Sequence, residues 1–134
     1  MSSYHQRCNC MTKNIIVFIG DGMGIQTHTL ARIYKGQQRG QPGEEGSLAW
    51  EMFPTTGLLK TYNTDKQVPD SAGTATALFS GVKTRLGMIG LDEQARYNVC
   101  DLAEYERARV ETLADWGRAA GRQVVVVTTF LLIY

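Results

Sequence analysis

Histidine is nearly absent from this chain: His5 and His28 are the two examples in 134 residues. A zinc centre of two ions needs several imidazole and carboxylate ligands, so a complete centre of that kind is not expected from these residues. The three cysteines make no metal pattern either. Cys8 and Cys10 form a Cys-x-Cys pair with no second ligand pair, and three free thiols are expected. Charge of one sign is also missing. Fourteen basic and thirteen acidic residues leave a formal net charge of +1, and without a basic patch interleaved with aromatics no nucleic acid is expected as a partner. No apolar run approaches the roughly 18 residues that a transmembrane segment needs. Residues 1–13 read as a polar leader with no apolar centre, so no secretory signal peptide is expected.

What the chain does contain is an alternation of apolar runs and helical patterns. Ile15-Ile16-Val17-Phe18-Ile19 is unbroken, as in a parallel strand covered on both faces, and residues 14–20 are expected as a strand. Residues 25–36 suit a helix with Leu30, Ile33 and Tyr34 on one face. Residues 36–46 read as a surface loop, after which Trp50, Met52 and Phe53 are expected in the core. Residues 57–62 suit a second strand, and residues 71–80 a helix of small residues closed near Gly81. Residues 81–100 look irregular. Residues 102–120 are expected as one helix, with Val110, Leu113, Ala114 and Gly117 on one face and Gly121 as its stop. Residues 124–129 complete the pattern as a buried parallel strand. Such alternation gives a layered α/β sheet, and 134 residues without an internal repeat make one domain at most.

Two stretches carry chemistry. In Val68-Pro69-Asp70-Ser71-Ala72-Gly73-Thr74-Ala75-Thr76-Ala77 a serine stands at the first turn of a helix, behind a good N-cap and a proline. Helix starts gather unpaired N–H groups and the positive end of the dipole, which favours anions. A serine there can hold an oxyanion, attack one, or simply cap the helix. Upstream, Gly20-Asp21-Gly22-Met23-Gly24 follows the first expected strand. Ligands gather at the carboxyl ends of strands in open α/β sheets, and a carboxylate there suits a hard metal ion. An ordinary Asp-Gly turn is the plainer alternative.

Taken together these stretches resemble the alkaline phosphatase family, the animal form in particular. Phe18-Ile19-Gly20-Asp21-Gly22-Met23-Gly24, Lys60-Thr61-Tyr62-Asn63 and Gln67 through Ala77 carry the resemblance, and Gly81-Val82-Lys83 and Val127-Thr128-Thr129 add to it. It covers residues 14–129 and implies an α/β fold: a partial three-layer α/β/α arrangement with a mostly parallel sheet. The implied activity is hydrolysis of phosphate monoesters through a phosphoserine intermediate. Ser71 would be the nucleophile and a metal ligand, and Asp21 a metal ligand bridging zinc and magnesium. Asp70 and Ala72 would serve phosphate binding, Asp70 by orienting an arginine and Ala72 through its N–H. The complete family uses two zinc ions and one magnesium ion, forms homodimers, and is extracellular or lipid-anchored at the cell surface. Cys100 resembles a cysteine that is disulfide-bonded in animal relatives.

The resemblance breaks at Phe130, and residues 130–134 form a divergent apolar tail. The phosphate arginine and most metal ligands of the family have no counterpart here, so the chain is expected to be inactive alone. A contrasting expectation is a non-catalytic, truncated remnant that misfolds or associates with a full-length relative. A third is another metal-dependent member of the wider phosphatase, sulfatase and phosphomutase superfamily, against which the length of the match from Asp70 to Ala77 speaks.

Overall fold

The computed structural model describes residues 13–129. Expectations placed on residues 1–12, including His5, Cys8 and Cys10, and on the tail 130–134 lie outside the described residues. The chain divides into two compact units, one up to Gly57 and one from Leu58.

In the first unit, helix α1 spans Ile25–Gln37, one residue longer than the sequence pattern suggests. Gly24 stands at its N-cap with no side-chain hydrogen bond, as expected of a residue that cannot supply one. A single 3-10 turn, Ala49–Met52, follows the loop. Polar contacts tie it to α1: Arg32 Nη1 donates to Glu51 Oε1 at 2.9 Å, and Leu48 N donates to Glu51 Oε2 at 2.7 Å. Trp50 Nε1 donates to His28 Nδ1 at 3.1 Å, the two rings meeting edge to face. Trp50, Met52 and Phe53 are exposed rather than in a core, and Leu48 takes the buried place. The anchoring carboxylate of Glu51 sets the turn's orientation, so hydrophobicity alone misassigns these three side chains.

In the second unit, α2 spans Ser71–Ser80 with Asp70 as N-cap and Gly81 as a left-handed C-cap at φ 76°, as the sequence pattern implies. Its inner face is polar but paired. Thr76 Oγ1 lies 3.0 Å from Ala72 O and 3.2 Å from Met88 O, sharing its proton, and accepts from Gly90 N at 3.0 Å. Ser80 Oγ donates to Thr76 O at 2.6 Å. Buried hydroxyls of this kind are tolerated because each has partners. Beside them Met88, Ala95 and Ala108 form a small apolar cluster, flanked by Leu91.

The single helix expected over residues 102–120 is two: α3, Leu102–Ala108, and α4, Leu113–Ala119. Arg109 leaves the helical region and forms an antiparallel bridge with Leu91. Thr112 then opens α4 with a capping box: its N–H and hydroxyl donate to Asp115 Oδ2 at 2.9 and 2.7 Å. Two local caps outweigh a shared apolar face. Gly121, at φ 72°, ends α4 as expected, and α4 packs against α2.

The strands are the larger correction. Residues 14–20, 57–62 and 124–129 belong to no β-ladder among the described residues, whose β contacts are the isolated bridges Asn63↔Lys66 and Leu91↔Arg109. The partial parallel sheet is therefore not seen. Unbroken apolar runs specify strands buried on both faces, and burial needs neighbours on each edge and each face. Here Phe18 is 89% exposed, Leu58 92% and Val127 91%.

Candidate active site

Asp70 has the extended backbone of an N-cap, φ −109° and ψ 171°, and its Oδ1 accepts from Gly73 N at 3.1 Å. The same oxygen accepts from Asn63 Nδ2 at 2.9 Å, while Oδ2 accepts from Gly87 N at 3.0 Å. One carboxylate thus joins three segments: the Asn63 turn, the start of α2 and the loop around Gly87. Desolvation by burial pushes the Asp70 carboxyl upward, but the hydrogen bonds from Asn63, Gly73 and Gly87 outweigh it and hold the group below the usual carboxylate value.

Ser71, the next residue, occupies the first helical position and is exposed. Its carbonyl accepts from Thr74 Oγ1 at 3.2 Å. Its hydroxyl and the N–H groups of Ser71 and Ala72 enter no hydrogen bond among the described residues. The third N–H of the turn, on Gly73, is taken by the cap. The start of α2 therefore presents one hydroxyl and two donors at the positive end of the helix dipole. That arrangement can receive an anion and set an oxygen nucleophile against it.

Asp21 belongs to the other unit. It is exposed within the turn closed by Met23 N on Gly20 O at 3.3 Å, where Gly22 adopts φ 63°. A positive φ at the third position of a turn is readily met by glycine. The structure thus gathers Asp70, Ser71 and Ala72 at one helix start and sets Asp21 on an exposed turn. Among the described residues no group of three or more His, Cys, Asp or Glu is gathered to hold a metal ion. These residues alone do not fit a centre of several metals. His28 is occupied by the Trp50 indole, and Cys100 is an exposed free thiol.

Sequence reasoning overlooks Asn63 and Gly87. Asn63 is 3% exposed although polar, and a buried carboxamide needs partners. Its position in the Lys60-Thr61-Tyr62-Asn63 run gives no sign that it will meet Asp70. Gly87 sits at φ 78°, with the Tyr97 ring against it.

Comparison with known proteins decides the family. The alkaline phosphatase family model matches residues 12–132. The chain belongs to the alkaline phosphatase family. Alkaline phosphatase 4 of Drosophila melanogaster is 51% identical over 119 residues, covering 87% of this chain and 19% of the fly protein. The membrane-bound alkaline phosphatase of Bombyx mori is 47% identical over 117 residues, 87% of this chain and 21% of the silkworm protein. The human tissue-nonspecific isozyme is 46% identical over 119 residues, 89% of this chain and 22% of that protein. The chain spans about a fifth of the length of the curated relatives it matches. Family membership implies an α/β fold, and metal cofactors belong to the family in general. No helix among the described residues is long and apolar enough to cross a membrane.

Proposed function

We propose that this chain carries the nucleophile segment of a phosphomonoesterase, with Ser71 as the residue that accepts the phosphoryl group. The observation that carries this reading is the exposed Ser71 hydroxyl beside two uncommitted N–H groups at the capped start of α2. In the reaction, Ser71 Oγ bonds to phosphorus as the ester P–O bond breaks, and the alcohol leaves with the proton that the hydroxyl gives up. Water then breaks the Oγ–P bond and releases inorganic phosphate. The N–H of Ala72 steadies the phosphoryl oxygens. Asp70 holds the turn, and its carboxylate, already accepting three hydrogen bonds, is oriented by Asn63 and Gly87 before any arginine approaches it.

By the family resemblance, Asp21 and Ser71 would each be a metal ligand, the metals supplying charge neutralisation and activation of the serine oxygen when bound. Most metal ligands of the family have no match in these 134 residues, which include two histidines. The chain alone is accordingly inactive in this reading. The substrate class is a phosphate monoester.

Two assays test it. The 134-residue chain, incubated with zinc, magnesium and an aryl phosphate, shows no hydrolysis that Ser71→Ala abolishes. A chimera in which residues 12–132 replace the matched segment of the human relative hydrolyses the same ester, and Ser71→Ala abolishes that activity. Hydrolysis by the isolated chain that depends on Ser71 contradicts the first statement, and an active Ser71→Ala chimera contradicts the second.

A further inference from the structure

Asn63 is buried where nothing in the hydrolysis of an ester requires a carboxamide. Its side chain lies beneath the first turn of α2, so close that a Cβ on Gly73 would stand 2.5 Å from Oδ1 and 2.8 Å from Nδ2. Gly73 is therefore the residue that lets the helix start descend onto Asn63. The backbone beneath is fixed as well. Asn63 N donates to Lys66 O at 2.9 Å and Lys66 N donates back to Asn63 O at 3.3 Å. Thr64 N donates to Thr84 O at 2.9 Å, and Leu86 N donates to Asp65 Oδ1 at 2.9 Å. Lys83 Nζ donates to the carbonyls of Lys60 and Tyr62, at 2.8 Å each. The Asn63 turn is thus tied to the loop that also supplies Gly87 N to Asp70.

We propose that Asn63 is a positioning residue for Ser71: by holding Asp70 Oδ1 and seating Gly73, it sets the first turn of α2 so that the Ser71 hydroxyl and the Ala72 N–H face one phosphoryl group. This rests on the phosphomonoesterase reading of Ser71. An aspartate side chain alone rotates about two bonds, and its cap on Gly73 leaves the direction of the turn loosely defined. The second donor on the same oxygen, from a buried and anchored residue, removes that freedom together with Gly87 N on Oδ2. Charge-assisted hydrogen bonds are the stronger kind, so the loss of one at a preorganised turn is felt in the geometry.

The test uses the full 134-residue chain, with inorganic phosphate as the probe. Phosphate is titrated while the amide resonances of Ser71 and Ala72 are followed by NMR, and hydrogen exchange of the Gly73 and Gly87 N–H groups is measured in the same samples. Asn63→Ala removes the donor, and Asn63→Asp keeps the shape of the side chain while replacing the donor with a like charge. Thr112→Ala is the control for general destabilisation, since it weakens α4 without touching the Asp70 turn. The expected result is a phosphate response weakened about tenfold in both Asn63 variants, as loss of a charged hydrogen bond implies. Gly73 and Gly87 N–H exchange faster in both, and Thr112→Ala leaves the phosphate response unchanged. If either folded Asn63 variant responds to phosphate as the unsubstituted chain does, the proposal is overturned while the Ser71 reading stands. No response in the unsubstituted chain overturns this proposal, because the start of α2 then receives no anion unaided, while the chimera assay still decides Ser71 as the phosphoryl acceptor.

Discussion

Gly73 and Asn63 meet so closely that no side chain fits between them: a Cβ on Gly73 would lie 2.5 Å from Asn63 Oδ1. Gly73→Ala must therefore displace a buried carboxamide that is bonded to Asp70. Alanine is otherwise the better helix former, so intrinsic propensity argues for stabilisation by up to about 1 kcal/mol. The clash wins, because overpacking a fixed site costs about 1–3 kcal/mol. Urea denaturation of the variant should show a lower midpoint, and a midpoint raised above that of the unsubstituted chain would show that Asn63 gives way freely.

Lys83 makes a second checkable contact. Its ammonium bonds two carbonyls at 2.8 Å and stands 4.2 Å from the centre of the Tyr62 ring. Lys83→Met keeps the apolar stem and removes the charge, with an expected loss of about 1–3 kcal/mol. Hydrogen exchange at Asn63 and Thr64 reads the result, and unchanged protection there would count against the clamp.

The start of α4 should be sensitive to acid. The Thr112 hydroxyl, then the Thr112 N–H, hold the Asp115 carboxyl below its ordinary value, with Arg109 and Arg118 adding attraction. A depressed folded value means that stabilisation is present above the unfolded value, about 3.9. It is lost as the pH falls through the folded value. Protection of the first amides of α4 should accordingly decline below about pH 4. Thr112→Ala should flatten that dependence and cost about 1 kcal/mol at neutral pH. An identical acid profile in the variant would remove the capping box as its cause.

The apolar runs predict association. Ile16 and Phe18 in the first unit, and Leu58, Leu59, Val125 and Val127 in the second, are all exposed, and exposed apolar side chains in such number favour self-association or binding to another chain. Size-exclusion chromatography over a concentration series should show the isolated chain growing in apparent mass. A monomer at every concentration, with no binding of an apolar dye, would contradict this expectation and the reading of the chain as one that associates with a relative.

The sequence makes α2 legible to the residue because its signals are local: Asp70 caps, small residues pack, and Gly81 takes the left-handed conformation. The same locality places Gly22 in its turn. The break between α3 and α4 was also written locally, in Thr112 and Asp115, but the apolar face of residues 102–120 obscured it. The strands were not legible in the same way. Val124 to Val127 have strand propensity, yet a strand requires a partner, and partnership is a property of the rest of a sheet. Asn63 escaped notice for a similar reason. Its contact with Asp70 spans seven residues and depends on the turn that returns the chain to the helix start.

The most direct test of Ser71 as phosphoryl acceptor is mass spectrometry of the chimera described above, acid-quenched during turnover of an aryl phosphate. The account predicts phosphate on the peptide containing Ser71, lost on completion of turnover and absent from Ser71→Ala. Sustained hydrolysis with the Ser71 peptide unmodified, or with the phosphate on another residue, would contradict it.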